Sequence, residues 1–444
     1  MEKMGAFKAW ANLVAYTVAV VVTGAPSVMA SLGIVPVVLM SLLFCSIAYW
    51  SGMQYFHLRM KYPGICNLED AGYLLYGPVG RELFGLSQLL FSIFLQGSHV
   101  ILGSKALATL GWHDDCFLAL GAVFAIMSWI CNIPRDYAKL GGLAGVAFLS
   151  ICSAIVFTMI VSGIEGPQVP AGAIIMKNIR AFGPSQPEGI TATAALLQVT
   201  NLFLSFGSHT AFLPVLFEMK NPAQFPKVLR GLIAVNFLIY VATGVVIYAT
   251  LGRYVVTPAF DSLPARFAQI AYGIALPTII IAGCESGQIA AKQVFVRIFR
   301  SRPHHMTTNT LLGWGTWLSI NAVTWGLAWL LASLIPFFPQ FLGLEASLLW
   351  VMFIAYGALF FAHLNPAALL NWRAYWHHIA AAVVTVLVCA FICVAGTYAS
   401  ARSIAGELGG HHLVDTSLNL ALADLYRLGE VAGVFSCARA AGAA

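Results

Sequence analysis

The side chains best suited to chemistry gather in Leu202–Lys227, LFLSFGSHTAFLPVLFEMKNPAQFPK. An apolar run that begins near Gly189 is interrupted here by Ser205, Phe206, Gly207, Ser208 and His209, with Pro214 further on. Hydrocarbon holds no water to satisfy a loosened backbone, so such a break survives only inside protein or beside a polar cavity. An imidazole at that depth marks a pathway by default. His209 can serve as a proton-linked or substrate-orienting group, or simply pack the break and bond a nearby carbonyl; the residues alone weigh these equally. A second interruption, Thr23-Gly24-Ala25-Pro26-Ser27, lies within Trp10–Leu32. Two interrupted helices in corresponding halves point to a secondary transporter with its site at the midplane. The plain alternative for the first is an ordinary proline kink.

The two breaks also suggest a substrate class. A free amino acid carries an ammonium and a carboxylate on one carbon. Unwound backbone offers amide donors at a positive dipole end for the carboxylate, and carbonyls for the ammonium. Neither break contains a formal charge, and Phe203, Phe206 and Phe212 would face the substrate side chain. That combination favours neutral substrates. On the third span Gln96 and His99, with Ser98 between them, share a helix face; interhelical hydrogen bonding competes there with substrate contact.

The elements that must position these residues follow from composition. The chain is 60% hydrophobic and 9% charged, with a mean hydropathy of +0.84. A soluble domain holds roughly a quarter charged residues, so this is an all-α polytopic membrane protein with membrane lipid around it. The net charge of +6 is scattered through loops, which argues against nucleic acid as a partner. Nine cysteines without a CxxC pair or a Cys/His cluster argue against a metal. No cofactor and no enzyme chemistry are expected: His304-His305 and His377-His378 lack nearby carboxylates.

Eleven spans of bilayer length are expected, near 10–32, 34–56, 80–108, 116–133, 140–163, 189–217, 229–251, 264–298, 310–334, 341–363 and 376–398. The first has its own break and is read as a span, not as a cleavable signal. The chain then divides into a short cytosolic N-terminus (1–9), a transporter domain (10–398) and a non-cytosolic tail (399–444). With the N-terminus inside, 15 of the 23 basic residues fall on the cytosolic side, which favours a cytosolic N-terminus and a C-terminus outside. Residues 57–79 have room for a short surface helix, and 164–188 form the largest outer loop.

The same residues carry a family resemblance. FGSHTAFLPVLFEMKNPAQFPKVL resembles the sixth helix and its exit in the amino acid/auxin permease family, within the amino acid–polyamine–organocation superfamily. PSVMASLGIVP, DAGYLLYGPVGRELFG, GSHVILGSKAL and GTYAS fit its fungal neutral amino acid permeases, over about residues 10–400. The resemblance implies the five-plus-five inverted repeat of the leucine transporter with interrupted helices 1 and 6 plus an eleventh helix. It implies secondary uptake of neutral amino acids, usually driven by protons. Helix 1 departs from the pattern: Val20, Val21 and Val22 stand where members usually carry glycine, so the break should be shorter or shifted. In the implied fold Glu285, in AGCESGQ, faces helix 1 and would suit a coupling proton; Ser286 keeps sodium open, and a tie to Lys292 is the plain alternative. Glu345 sits where relatives tend to be apolar, and a position at the outer helix N-terminus would explain it.

Of the nine cysteines only Cys116 and Cys437 are expected on one oxidising face, so they are the expected disulfide. The combined reading is a monomeric, proton-coupled neutral amino acid permease, expected in the plasma membrane over the vacuolar membrane. Rivals are a sodium-coupled or uncoupled vacuolar transporter and a nutrient sensor on the same scaffold.

Overall fold

A computed structural model describes residues 4–18, 21–111, 116–135, 137–169, 174–186, 189–368 and 370–408. The described residues form helices and loops, with one isolated bridge in place of any strand. In order the helices are α1 (Ala6–Val18), α2 (Ala25–Leu32), α3 (Ile34–Lys61), α4 (Leu68–Leu110), α5 (Phe117–Cys131) and α6 (Tyr137–Glu165). There follow α7 (Ala192–Leu204), α8 (His209–Glu218), α9 (Phe225–Leu251), α10 (Ala265–Phe299), the short α11 (His304–Thr307) and α12 (Leu311–Leu334). The chain closes with α13 (Phe338–Glu345), α14 (Val351–Leu364), α15 (Trp372–Phe391) and α16 (Thr397–Leu408). Two π-helical turns, Ala346–Trp350 and Ile392–Gly396, join α13 to α14 and α15 to α16.

Among the described residues nine helical segments are long and apolar enough to cross a bilayer, or ten if α1 and α2, bent by 42°, make one span. The remaining expected span, α5, has 15 residues, about 22 Å of helix at ~1.5 Å per residue, short of a hydrocarbon core of ~30 Å. Several ends differ from expectation. The first helix begins at Ala6 and not at Trp10, and the last runs to Leu408, past the expected boundary at 398. The expected surface helix appears as the first turns of α4: Asn67 caps it by accepting the Asp70 N–H at 2.9 Å, and the helix breaks at Tyr76-Gly77 ahead of Pro78.

The most buried segments of bilayer length are α7–α8 and α4. α10 packs along α4 and α6, and α9 lies against α1, α2 and α3. Helix approach depends on small residues where no side chain fits. A Cβ on Gly357 of α14 would lie 2.3 Å from Ser51 Oγ and 2.8 Å from Ser51 Cα on α3, and one on Gly103 of α4 would lie 2.3 Å from the Phe124 ring on α5. Ser51 Oγ donates to the Ile354 carbonyl at 2.8 Å across the α3–α14 seam. Gly357→Ala is therefore expected to cost ~1–3 kcal/mol by overpacking this seam. Thermal unfolding of the detergent-solubilised protein measures it; a wild-type midpoint would show that α3 and α14 separate freely.

Candidate functional site

The second break forms where the sequence places it. α7 stops at Leu204, Ser205 caps it, and α8 starts at His209. Gly207 turns the chain with φ +110°, a conformation open to glycine but strained for other residues, and a Cβ there would lie 2.7 Å from His209 Nδ1.

The first break lies upstream of the expected one. α1 already ends at Val18, and Val21–Gly24 form a 3-10 turn that feeds α2. Gly24 is helical (φ −83°, ψ −17°), and Pro26 sits in the first turn of α2, where its missing N–H leaves no bond unmade. Thr23 and Ala25 are buried beside that turn. Ser27 Oγ donates to the Gly24 carbonyl at 2.8 Å and pairs with Thr257. Tyr16 and Thr17 near the end of α1 hydrogen-bond to the second break, and α2 packs against α7. Val20 falls outside the described residues.

The two interruptions are tied directly. Thr17 Oγ1 donates to the Leu13 carbonyl at 2.7 Å and shares a short hydrogen bond with Ser208 Oγ. Ser208 Oγ also reaches the Leu13 carbonyl at 3.2 Å, and Tyr16 Oη lies 3.1 Å from Thr210 Oγ1. Beside this junction is a narrow cavity, leaving about 10 Å³ for the centre of a water molecule. Its polar wall is Thr17, Ser205, Asn236 and Tyr240, and its apolar wall is Val18, Val21, Val22 and Ile239. A cavity of that size holds about one water, so an amino acid enters only if α1, α7 and α9 part.

Asn236 and Tyr240 on α9 escaped the sequence reading. Asn236 is buried, and neither its amide nitrogen nor its oxygen has a hydrogen-bond partner. The Tyr240 ring packs on Phe206 at 5.5 Å. The available signal was Asn236, Tyr240 and Thr243 at helical spacing on one stripe of an otherwise apolar helix.

Other expected site residues stand elsewhere. His209 does not line this cavity; its ring is held by Tyr55 (5.5 Å), Phe212 (4.8 Å) and Trp350 (5.7 Å). Neither ring nitrogen makes a hydrogen bond of good geometry, the Ala48 carbonyl being the polar group in reach. Gln96 joins helices: with its amide turned to suit its neighbours it donates to the Thr324 carbonyl at 3.3 Å and accepts the Gly287 N–H at 3.2 Å. His99 Nδ1 lies 2.7 Å from the Leu95 carbonyl of its own helix.

Glu285 is fully buried on α10, and both of its carboxylate oxygens lack a partner. Lys292 therefore does not pair with it. Ser286 Oγ donates to the Gly283 carbonyl at 2.8 Å within its own helix. Glu345 overturns its explanation: it ends α13 at a π-helical turn, wholly buried and equally unpartnered, not at an exposed helix N-terminus. The expected start of this span at 341 placed it too close to the surface. Cys116 is disulfide-bonded, and Cys437, its expected partner, lies outside the described residues.

Hydrogen bonds join chain segments at both ends of the bundle. At one, the Met4 N–H donates to the Glu218 carbonyl at 2.8 Å and the Lys220 N–H to the Met4 carbonyl at 2.9 Å. At the other, Ser185 N–H donates to Ala30 O at 2.8 Å and Arg253 N–H to Lys177 O at 2.9 Å, while Lys105 pairs with Asp261.

The family model described as "Transmembrane amino acid transporter protein" matches residues 2–402. The chain belongs to this family, that of the amino acid/auxin permeases. It is 29% identical over 327 residues to the N amino acid transport system protein of Neurospora crassa, covering 73% of this chain and 68% of that one. A transmembrane transporter of Gibberella moniliformis is 29% identical over 291 residues, or 65% and 60% of the two chains. Among solved structures, a transporter of the nucleobase-cation-symport-1 family in a closed conformation, with bromovinylhydantoin bound, superposes with a TM-score of 0.54. At 15% identity, over 94% of this chain and 96% of that one, it establishes a shared transporter fold of the leucine-transporter type.

Two outcomes follow from the junction. Gly207→Ala forces a β-carbon into the break, so uptake is expected to fall tenfold or more, with a stability loss of ~1–3 kcal/mol; wild-type kinetics would remove this break from the site. Asn236→Leu removes the unpaired amide, and uptake of glutamine is expected to fall against uptake of leucine by about tenfold, one good hydrogen bond in a dry site. An unchanged ratio in competition assays would place Asn236 outside substrate contact.

Proposed function

We propose that this member of the family is a proton-coupled carrier of neutral amino acids that works by alternating access around the two breaks. The observation that carries the reading is the junction of Thr17 and Ser208, where the end of one interrupted helix meets the start of another beside a cavity. Carbonyls freed at the ends of α1 and α7 would meet the ammonium of the substrate, and N–H groups freed at the start of α8 its carboxylate. The cavity wall is uncharged, half of it aliphatic and half neutral polar, which suits neutral side chains and gives no charged partner to a cationic or anionic one. Thr17, Ser205, Ser208, Asn236 and Tyr240 would contact the substrate. Thr23–Ser27 would close the outer side, while His209 and Gln96 would hold the helices that move.

Proton coupling rests on Glu285. An ionised carboxylate without a partner is too costly to bury, so in this closed form the acid is neutral. Opening toward water lets it release the proton. Ser286, bonded to its own helix, gives less support to a sodium site. The reading includes eleven spans with α5 as a short one, a cytosolic N-terminus, a plasma-membrane location, a monomer, and a bridge from Cys116 to Cys437 over the outer face.

Proteoliposomes loaded with labelled alanine, leucine, glutamine, arginine or glutamate test the reading under imposed proton and sodium gradients. The proton gradient is expected to drive accumulation of the first three alone. Accumulation that follows sodium would replace the coupling ion and leave the site intact. Glu285→Gln should carry fewer protons with each substrate and lose pH-driven accumulation accordingly, yet keep exchange of substrate across the membrane, since binding and coupling use different residues. A proton-to-substrate ratio in that variant equal to the wild type would rule Glu285 out as a carrier.

A further inference from the structure

The interior holds a second acid that the transport reading has not used. Glu345 and Glu285 are both shielded from solvent, and all four of their carboxylate oxygens lack hydrogen-bond partners. An isolated ionised carboxylate in such a place would cost far more than the fold can supply, so each acid carries a proton in this closed form. The two sit on different helices. Glu345 is seven residues into α13, and Glu285 is twenty residues into α10.

The surroundings of Glu345 suit a group that changes its protonation. It ends α13 where the helix shifts to a π-helical turn, a distortion that recurs at working sites. From α1, Tyr16 lies within electrostatic reach of both Glu345 and Glu285. Tyr16 is bonded to Thr210 beside the second break, and Gln88 of α4 donates to the Thr210 carbonyl at 3.5 Å. A phenol can both donate and accept, so the pair can follow the state of either acid. Also on α4, Ser92 is buried with its Oγ unpartnered. On α8 the nearest titratable group is His209, held by Trp350 of the same π-helical turn. α7 and α16, also packed on α13, bring Asn201 and Ser400, which do not titrate, while Arg402 is exposed and bonds Tyr398. Among the described residues no cation is positioned to neutralise Glu345.

We propose that Glu345 is a second proton-binding site of the transport cycle, loaded and emptied separately from Glu285. The closed form then moves two protons with each amino acid. The proposal rests on the proton-coupled reading above, and it adds a site on α13 where that reading has none. Water reaching Glu345 when α13 moves from α4 and α7 would let it ionise, and closure would require it to be protonated again.

The test is the ratio of protons to substrate in proteoliposomes, measured with labelled alanine and a pH-sensitive dye. In Glu345→Gln the ratio is expected to fall by about half, with uptake retained, because glutamine keeps the shape of a neutral acid. An unchanged ratio in that variant overturns the proposal while leaving proton coupling through Glu285 in place. A wild-type ratio of zero would instead remove the coupling reading itself. Should Glu345→Gln fail to fold, the wild-type protein answers alone. A hydrophobic carbodiimide adds to a protonated carboxyl and leaves an N-acylurea that peptide mass spectrometry locates. Labelling at Glu345 is expected to decline as the buffer is made alkaline and to be blocked by substrate. Labelling that ignores both overturns the proposal, because the acid would then be permanently neutral.

Discussion

Everything in this bundle answers to one constraint: backbone opened in hydrocarbon must find partners within the protein. The junction between α1 and α8 meets it by having the two openings serve one another. Leu13 O accepts from Thr17 Oγ1 of its own helix, and Ser208 across the gap hydrogen-bonds to Thr17 Oγ1, which ties the second break to a hydroxyl near the end of α1. Gly207 makes this possible, since its φ of +110° brings Ser208 and His209 round without a β-carbon in the way. Tyr16 and Thr210 repeat the arrangement one residue earlier on α1 and two residues later on the other chain segment. Such side-chain bonds hold the closed junction, yet each can be replaced by a carboxylate or an ammonium of similar reach. That exchange is what a carrier of amino acids needs from its breaks.

The same constraint explains why closure on both faces uses backbone. Met4 pairs main chain to main chain with the residues at the end of α8, and the loop 174–186 does so with the ends of α2 and α9. Main-chain bonds of this kind contribute on the order of 1 kcal/mol each. A gate of two or three can therefore open on thermal energy plus substrate binding, without the bundle unfolding. Side chains on the face of Met4 are charged: Lys8 and Lys292 act on Glu218 through space. The opposite face adds the pair of Lys105 and Asp261, with Tyr272 donating to Asp261 at 2.8 Å. Movement of α10 bears on both gates, because Lys292 and Tyr272 belong to the same helix.

Apolar runs long enough for a bilayer were plain in the sequence, because hydrocarbon thickness fixes their length almost independently of packing. The second break was legible as well, since Gly207 amid Ser205, Ser208 and His209 contradicts a helical run. The first was harder to place, because proline near a helix start does no harm and the bend between the helices Ala6–Val18 and Val21–Leu32 carries no turn signal. A solitary asparagine in α9 likewise announces nothing until the fold shows which face it presents. His209 and Gln96 illustrate the converse. Both are polar residues at depth, but one fills an aromatic pocket and the other binds three helices together, roles that depend on neighbours far away in sequence.

Glu345 shows how small an error in a boundary can change a chemical conclusion. Started at 341, its helix would hold the carboxylate near the surface, where a helix N-terminus and water would suffice for it. Started at Phe338, the helix carries the same residue to a π-helical turn in the packed interior. A displacement of three residues is about 4.5 Å of helix, and over that distance the solvent for a carboxylate changes from water to protein. No charge pair replaces the lost hydration, so the acid must hold its proton whenever the bundle is closed. The energetic link between closure and protonation is then not an added device; it follows from burying an unpaired acid in a bundle that has to open.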